Sequence, residues 1–432
     1  MLKKLGVIFG CMLLCCCTAW NKTMHSSYYN YENTDSTPVD MVSSTDYSQV
    51  DLGNSESFRV AMLLPLSGSV ASMGQSMKNA AMMAIGDLNN NNLVVQFYDT
   101  KGSTGGARVA IENAVNADSD LILGPLTADE VSAISPVAKS KDIPVISFST
   151  SPAVLQEGIY TLGLLNDQQV DRIVHYAVGQ GRRQLAAVLP NNQSGLNMLK
   201  SYIKSARNNG AEVTKIGFYA PETMEFTDLV TSMIKDKAYG LGFDALLIPE
   251  YGNKLKAISS MFSYYDVAAP DVLFMGTSVW ANTGLSKETE LYGAVYPVMS
   301  LKQRNAFAQK YNELFGERPN GLSIFAYDAV ALASSLSHKD KSYIEEQIVR
   351  PEGYYGMSGI FRILPNGQSE HGLDVVRVTS AGESLVESAP QKFYGGYSSY
   401  DGYNGSSMSG MGSMPRIYGQ SPVGLQEALN NL

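Results

Sequence analysis

Along residues 58–190, short apolar runs alternate with stretches whose apolar positions recur every three or four residues. FRVAMLLP (58–65) is nearly continuous, as a strand is when both its faces are covered. After Ser67-Gly68-Ser69, the positions Val70, Met73, Met77, Ala81, Ile85 and Leu88 fall on one face of a helix. NLVVQFYD (92–99) predicts a second strand, Gly102 to Gly106 a turn and Ala107 to Val115 a helix. DLILGP (120–125) leads into a helix ending near Lys139, and IPVISF (143–148) is the next strand. The rhythm resumes after Leu164: a helix carrying Val170, Ile173, Val174 and Val178 precedes QLAAVLP (184–190), and one through Leu199 and Ile203 precedes AEVTKIGFY (211–219). FDALLIPE (243–250) and DVLFMG (271–276) are further strands. Strand and helix in strict alternation predict βαβ units on parallel sheets, arranged as two serial α/β halves.

Both flanks break this pattern. Residues 18–57 carry six acids to one lysine, are rich in Ser, Thr, Asn and Tyr, and show no apolar period, which predicts a disordered linker. About 40 such residues span roughly 35 Å as a flexible coil and about 130 Å fully extended. Residues 391–421 are rich in Gly, Ser and Tyr, and residues 391–432 are expected to form a low-complexity tail.

The chain has 432 residues with 44% hydrophobic, enough for two lobes of ordinary size. Its four cysteines are Cys11, Cys15, Cys16 and Cys17, so no disulfide framework extends into the folded part and no zinc ligand set is spaced to converge. Instead, Lys3 and Lys4 precede an apolar stretch from Leu5 to Leu14, shorter than the about 20 residues a spanning helix needs. A secretory signal ending in Leu-Cys-Cys-Cys resembles a bacterial lipobox. Leu14 then lies three places before Cys17, the expected lipidation site, with Cys16 the alternative. The expected signal covers 1–16, and its removal shifts the formal charge from 32 − 41 = −9 to 30 − 41 = −11. So acidic a chain argues against nucleic acid as a partner. Thr18, rather than Asp, follows Cys17, which by analogy with enteric lipoproteins implies the outer membrane.

In open α/β sheets, ligands bind beyond the carboxyl ends of the strands. That rule selects Pro65 to Gly68, Asp99, Thr100, Gly124 to Asp129, Ser147 to Ser151, Asn191 to Ser194, Glu250, Tyr251 and Thr277 to Trp280. Several open helices, where capping competes with ligand contact as their purpose. GSTGGA (102–107) lacks the Gly-Lys-Ser/Thr of a phosphate loop and predicts a turn. His25, His175, His338 and His371 are isolated, and no G-x-S-x-G elbow occurs. Asp99 and Glu250 are the carboxylates at strand ends, a place that helix capping explains equally well. No catalytic, metal or cofactor constellation emerges, so the expected protein is not an enzyme.

VAMLLPLSGSVASMGQSMKNAAMMAI, LILGPLTADEVSAISPVAKSKDIPVISFSTSP and FDALLIPEYGNKLKAI resemble the type I periplasmic binding proteins, the family of leucine/isoleucine/valine receptors. The resemblance covers roughly residues 58–390. It implies two Rossmann-like lobes joined by three crossovers around a cleft, the first of about 58–164 and 298–338, the second of about 165–297 and 339–390. GLSIFAYDAVALASSLS (321–337) is similar to the helix that returns to the first lobe, and MSGIFRILPNG with LDVVRV to the closing hairpin. The resemblance implies cleft contacts at Ser67, Thr127, Ser149, Thr150, Ser151, Ser194, Glu250, Tyr251 and Thr277. The carboxylate that neutralises a ligand ammonium in the amino acid receptors falls near Thr277 or Ser278, where this chain has none. A buried ammonium without a counter-charge costs several kcal/mol, so a free α-amino acid is a poor ligand.

LLPLSG, ALLIPE, SYYDV before Gly276-Thr277 and Trp280, and GRRQLAAVLPNNQSG resemble more narrowly the penicillin-binding protein activators, envelope lipoproteins that stimulate a peptidoglycan synthase by contact. The expected function is therefore a lipid-anchored regulator whose partner is a penicillin-binding protein. The alternative is the solute receptor of an ABC importer, with Ser149, Thr150, Ser151 and Tyr251 on a small polar ligand.

Overall fold

The computed structural model describes residues 57–393, apart from 236, 282 and 339, and residues 414–430. The expected signal (1–16), Cys17, most of the tether (17–57) and much of the tail lie outside the described residues.

The chain runs β1 (Phe58–Leu64), α1 (Ala71–Leu88), β2 (Leu93–Asp99), α2 (Thr104–Asn116), β3 (Leu121–Leu123), α3 (Ala128–Ser140), β4 (Val145–Ser147) and β5 (Ile159–Thr161). These strands form a parallel five-stranded sheet in the order β2-β1-β3-β4-β5. Alternate residues of β1 point to opposite faces: Val60, Met62 and Leu64 join the core beneath α1, while Ala61 and Leu63 join that beneath α2 and α3. Both faces are covered, which is why the strand is apolar from Val60 to Leu64. The expected turn at 102–106 is shorter than predicted, because α2 already begins at Thr104. Ser103 caps it by accepting the Gly106 N–H at 3.1 Å, and a Cβ on Gly106 would stand 2.0 Å from the Thr100 carbonyl oxygen.

A second set follows: α4 (Asn166–Gly179), β6 (Gln184–Pro190), α5 (Gln193–Asn208), β7 (Glu212–Tyr219), α6 (Thr227–Ile234), β8 (Ala245–Leu247), α7 (Gly252–Tyr264), β9 (Leu273–Met275) and β10 (Val295–Val298). Its strands repeat the first order as β7-β6-β8-β9-β10, all parallel. Beyond β9, Trp280 is fully buried, donates its indole N–H to the Ile248 carbonyl at 3.1 Å and lies over Gly276.

The chain then returns to the first lobe through α8 (Leu301–Phe315), α9 (Ser323–Ser335), α10 (Lys341–Ile348) and a separate antiparallel sheet of β11 (Tyr354–Gly356), β12 (Gly359–Ile363) and β13 (Ser369–His371). Ile344, Ile348, Tyr354, Phe361 and Ile363 pack into the same core as Val60 and Met77. The first lobe therefore keeps residues 341–371, which the sequence assigned to the second. Only β14 (Asp374–Thr379) and β15 (Gly382–Glu387) cross back, joining the second sheet antiparallel beside β10. A further correction concerns the expected tail. Arg416–Gly419 forms β16, parallel to β7 at the opposite sheet edge, and Leu425–Asn430 forms the short helix α11.

Three short crossovers join the lobes, after β5, β10 and β13, and they are bound to one another. Ser369 Oγ donates to the Gly163 carbonyl at 2.7 Å and accepts the Gly163 N–H at 3.2 Å, while Gln168 donates to the Ser369 carbonyl and accepts the His371 N–H. Asp374 accepts the Leu301 N–H at 2.7 Å on one oxygen and the Ala389 N–H at 2.7 Å on the other. Arg172, with 2% of its side chain exposed, donates to the Leu373 carbonyl at 2.7 Å and pairs with Glu387 at 2.5 Å. Two buried ionisable groups flank this hinge. Asp328 on α9 accepts the Met357 and Ser358 N–H groups at 2.7 and 2.9 Å, and His371 packs between the rings of Phe325 and Phe361.

Burial pushes the Asp328 carboxyl up from 3.8 to about 6, against the hydrogen bonds that lower it, and pushes His371 down from 6.5 to about 4. The signs of their linkage oppose. The His371 contribution to stability is full above pH 6.5 and lost toward pH 4. The cost of charging buried Asp328 is full above pH 6 and relieved toward pH 3.8. Each is worth about 3 kcal/mol across its window. Relative to the parent, Asp328→Asn should lose stability more steeply on acidification from pH 6.5 to 4, and His371→Gln less steeply, as read by urea midpoints across pH. Gly276→Ala places a Cβ 2.2 Å from the Trp280 ring and should cost about 3 kcal/mol, measured by the same denaturation.

Candidate functional site

The first crossover leaves the first sheet from the carboxyl end of β5 and enters α4 within four residues; the second leaves the carboxyl end of β10 and enters α8 within two. Connections this short appose the strand-end edges of the two sheets, the edges where open α/β folds bind ligands. The chemistry of the cleft is set by the loops on these edges.

On the first lobe, Asp99 gathers the loops after β1 and β2. It accepts N–H groups from Leu66 at 2.9 Å, Ser67 at 3.1 Å and Lys101 at 2.8 Å, and the Ser67 hydroxyl at 2.6 Å. Its slight burial raises the carboxyl pKa, but the Ser67 hydroxyl and these backbone donors outweigh that effect and hold it below the usual range. Asp99 thus remains an anion that positions Ser67 at the exposed rim.

Thr127 serves the helix that follows it. Its hydroxyl donates to Glu130 at 2.8 Å and accepts the Glu130 N–H at 3.3 Å, while its own N–H reaches the same carboxylate at 3.0 Å. This reciprocal capping box starts α3. The segment after β4 is held by its own hydroxyls: Ser147 donates to the Pro125 carbonyl and accepts the Ser149 N–H, each at 3.0 Å, and Ser149 accepts the Ser151 N–H at 3.2 Å. Ser149 is buried, leaving exposed Thr150 and half-buried Ser151 as the hydroxyls presented outward. The segment lies against the first crossover, because a Cβ on Gly163 would stand 3.4 Å from the Thr150 methyl.

On the second lobe, exposed Ser194 sits in the first turn of α5, which Asn192 caps through the Gly195 N–H at 3.1 Å. Glu250 accepts a short hydrogen bond from the Tyr219 hydroxyl. Burial, then Glu250 as hydrogen-bond acceptor and charge, drives the Tyr219 pKa far up, so the phenol stays a donor. Lys254 stands 5.5 Å over the Tyr219 ring and donates to the Pro221 carbonyl at 2.5 Å. Tyr251 is 64% exposed at the start of α7. Thr277, by contrast, is 2% exposed, and the neighbouring Ser278 N–H is taken by buried Gln169 at 2.8 Å.

The nine sequence candidates therefore divide. Ser67, Thr150 and Ser151 on one lobe and Ser194, Glu250 and Tyr251 on the other lie at accessible strand ends. Thr127, Ser149 and Thr277 are committed to capping, turn geometry and packing. Asp99 and Glu250 sit on different lobes, each with its own partners. Among the described residues no group of three or more His, Cys, Asp or Glu is placed to hold a metal ion, and no helix is long and apolar enough to cross a membrane. Sequence reasoning missed Tyr219, Gln169, Arg172 and Asp374. Gln169 and Arg172 carried a signal, since they fall beside Val170, Ile173 and Val174 on the apolar side of α4.

Comparison with known proteins agrees with this architecture. The model of the periplasmic binding protein family matches residues 57–383. An uncharacterized protein of Rickettsia prowazekii, RP748, is 26% identical over 168 residues, a match spanning 38% of this chain and 45% of that protein. The branched-chain amino acid substrate-binding protein LivJ of Streptococcus pneumoniae, solved with isoleucine, superposes with a TM-score of 0.57 at 17% identity, covering 77% of this chain and all (100%) of that one. A solute-binding protein of Rhodopseudomonas palustris, solved with 3,4-dihydroxybenzoic acid, gives a TM-score of 0.58 at 17% identity over 78% of this chain and 97% of that one. Two lobes of repeated strand order, three tied crossovers and a family match across most of the folded part lead to one conclusion: the chain belongs to the periplasmic binding protein family and has its type I fold.

Proposed function

We propose that this protein is a periplasmic solute receptor that closes its two lobes on a small polar ligand bearing a carboxylate. The observation that carries the reading is the hinge. Three connections of a few residues, joined by Gln168, Ser369 and Asp374, confine relative motion of the lobes to opening and closing over the two strand-end edges. On the first-lobe edge Thr150 and Ser151 present hydroxyls outward, and hydroxyl donors suit a carboxylate. On the second lobe, the Glu250–Tyr219 pair and Tyr251 offer an acceptor and an aromatic face. Both relatives solved with ligands hold carboxylic acids, one an amino acid and one aromatic. Receptors of this kind bind and release without chemistry, so this reading is also non-enzymatic.

The peptidoglycan-synthase activator rests on sequence resemblance alone, and the solved relatives are solute-binding proteins, which puts the receptor first. A lipid on Cys17 and an outer-membrane address suit either role.

The purified protein screened against amino acids, benzoate and dihydroxybenzoate should gain stability with one carboxylate class, about 2.7 kcal/mol at a hundredfold excess over Kd. Thr150→Ala and Tyr251→Ala should each weaken that solute about tenfold by calorimetry without lowering the melting temperature of the free protein. No stabilising solute, together with recovery of a penicillin-binding protein in an envelope pull-down, would overturn the receptor and restore the activator.

A further inference from the structure

We propose that the outer edge of the second lobe is a peptide-binding groove, occupied by Arg416–Asn430 and open to the same segment from a second copy of the chain. This inference does not depend on the cleft. The segment is seated by two recognisable modes at once. Main-chain pairing places Arg416, Ile417, Tyr418 and Gly419 beside Lys215, Ile216, Gly217 and Phe218 of β7, adding a parallel strand to an edge. Side chains then read both faces of the sheet. Ile417, Leu425 and Leu429 pack with the core that holds Leu199, Tyr202 and Phe218, and Tyr418 packs with the core on the other face.

Two positions make the fit selective. The ammonium of Lys215, which donates to the Met233 carbonyl at 2.7 Å, stands 5.8 Å from the Tyr418 ring and 5.8 Å from that of Phe243. Gly419 has φ +76°, and a Cβ there would lie 2.0 Å from the Phe218 carbonyl oxygen, so the groove admits glycine alone at that step. The recognised element is an extended Ile-Tyr-Gly followed by a turn presenting Leu-x-x-Ala-Leu, with Ala428 buried.

The segment is joined to the rest by 20 residues, 394–413. The preceding Phe393 packs on the first lobe, with the Arg362 guanidinium 4.5 Å from its ring centre. β16 sits seven strand positions from β15 across the eight-stranded sheet, about 34 Å at roughly 4.8 Å per strand. Twenty residues reach at most about 70 Å, about twice that width. Tethering favours the chain's own segment by an effective concentration near millimolar, and a segment from another copy competes once the tether is cut.

The test uses the full chain with a specific protease site inserted between Gly405 and Ser406, cut and then mixed with excess fluorescent peptide of residues 414–430. The expected result is exchange within a day, binding by anisotropy that unlabelled peptide competes away, and at least tenfold weaker binding by the Gly419→Val peptide. Thermal melting of the cut protein verifies that both lobes stay folded. A cut segment that never exchanges is an integral strand of the sheet, and that outcome overturns the proposal. So does a folded, emptied protein that ignores the peptide, or one that binds the Gly419→Val peptide equally well.

Discussion

The molecule depends on the way its three crossovers are bound into one joint. Each connection alone is a few residues of irregular chain with unpaired N–H and carbonyl groups, a poor transmitter of orientation. Side chains that bridge two crossovers at once change this. The two oxygens of Asp374 address the start of α8 and the end of β15, Gln168 ties α4 to β13, and Arg172 fixes the third crossover to α4. Removing one partner of such a buried group leaves the other without its hydrogen bond, a penalty of about 1–3 kcal/mol each. The joint therefore has few intermediate states, and the apposition of the two ligand edges follows from it.

The regular part of this design was legible in the sequence because local pattern and final environment agree. β1 and β6 are apolar apart from Arg59 and Gln184 since helices cover both faces of their sheets, and helices such as α2 and α4 between them show one buried stripe. The hinge was less legible because its members, Gln168, Arg172, Ser369 and Asp374, are polar residues that each have a partner more than 70 positions away. Nothing local distinguishes them from surface residues except the burial that the fold imposes. Assignment of β11 to β13 failed for a related reason. The family resemblance implies a closing hairpin, but the core that receives Tyr354 and Phe361 is a matter of nonlocal packing.

At the site, residue type was a better guide than residue role. Of the hydroxyls expected after β4, Ser149 is spent on holding its own turn. Thr127 carried its answer in plain view, because Thr-x-x-Glu before an apolar helix is a capping box. Glu250 seemed isolated until the fold placed Tyr219, from another strand, against it.

From β15 on the second lobe to Phe393 on the first the chain passes between the lobes a fourth time, and from Phe393 to Arg416, again on the second, a fifth. This last passage differs from the hinge in length, since twenty residues, 394–413, separate its described ends. Its two ends are nonetheless fixed points on opposite lobes, remote in sequence from every candidate ligand contact. Paired spectroscopic labels beside them form an internal ruler of lobe separation that leaves the cleft chemistry untouched.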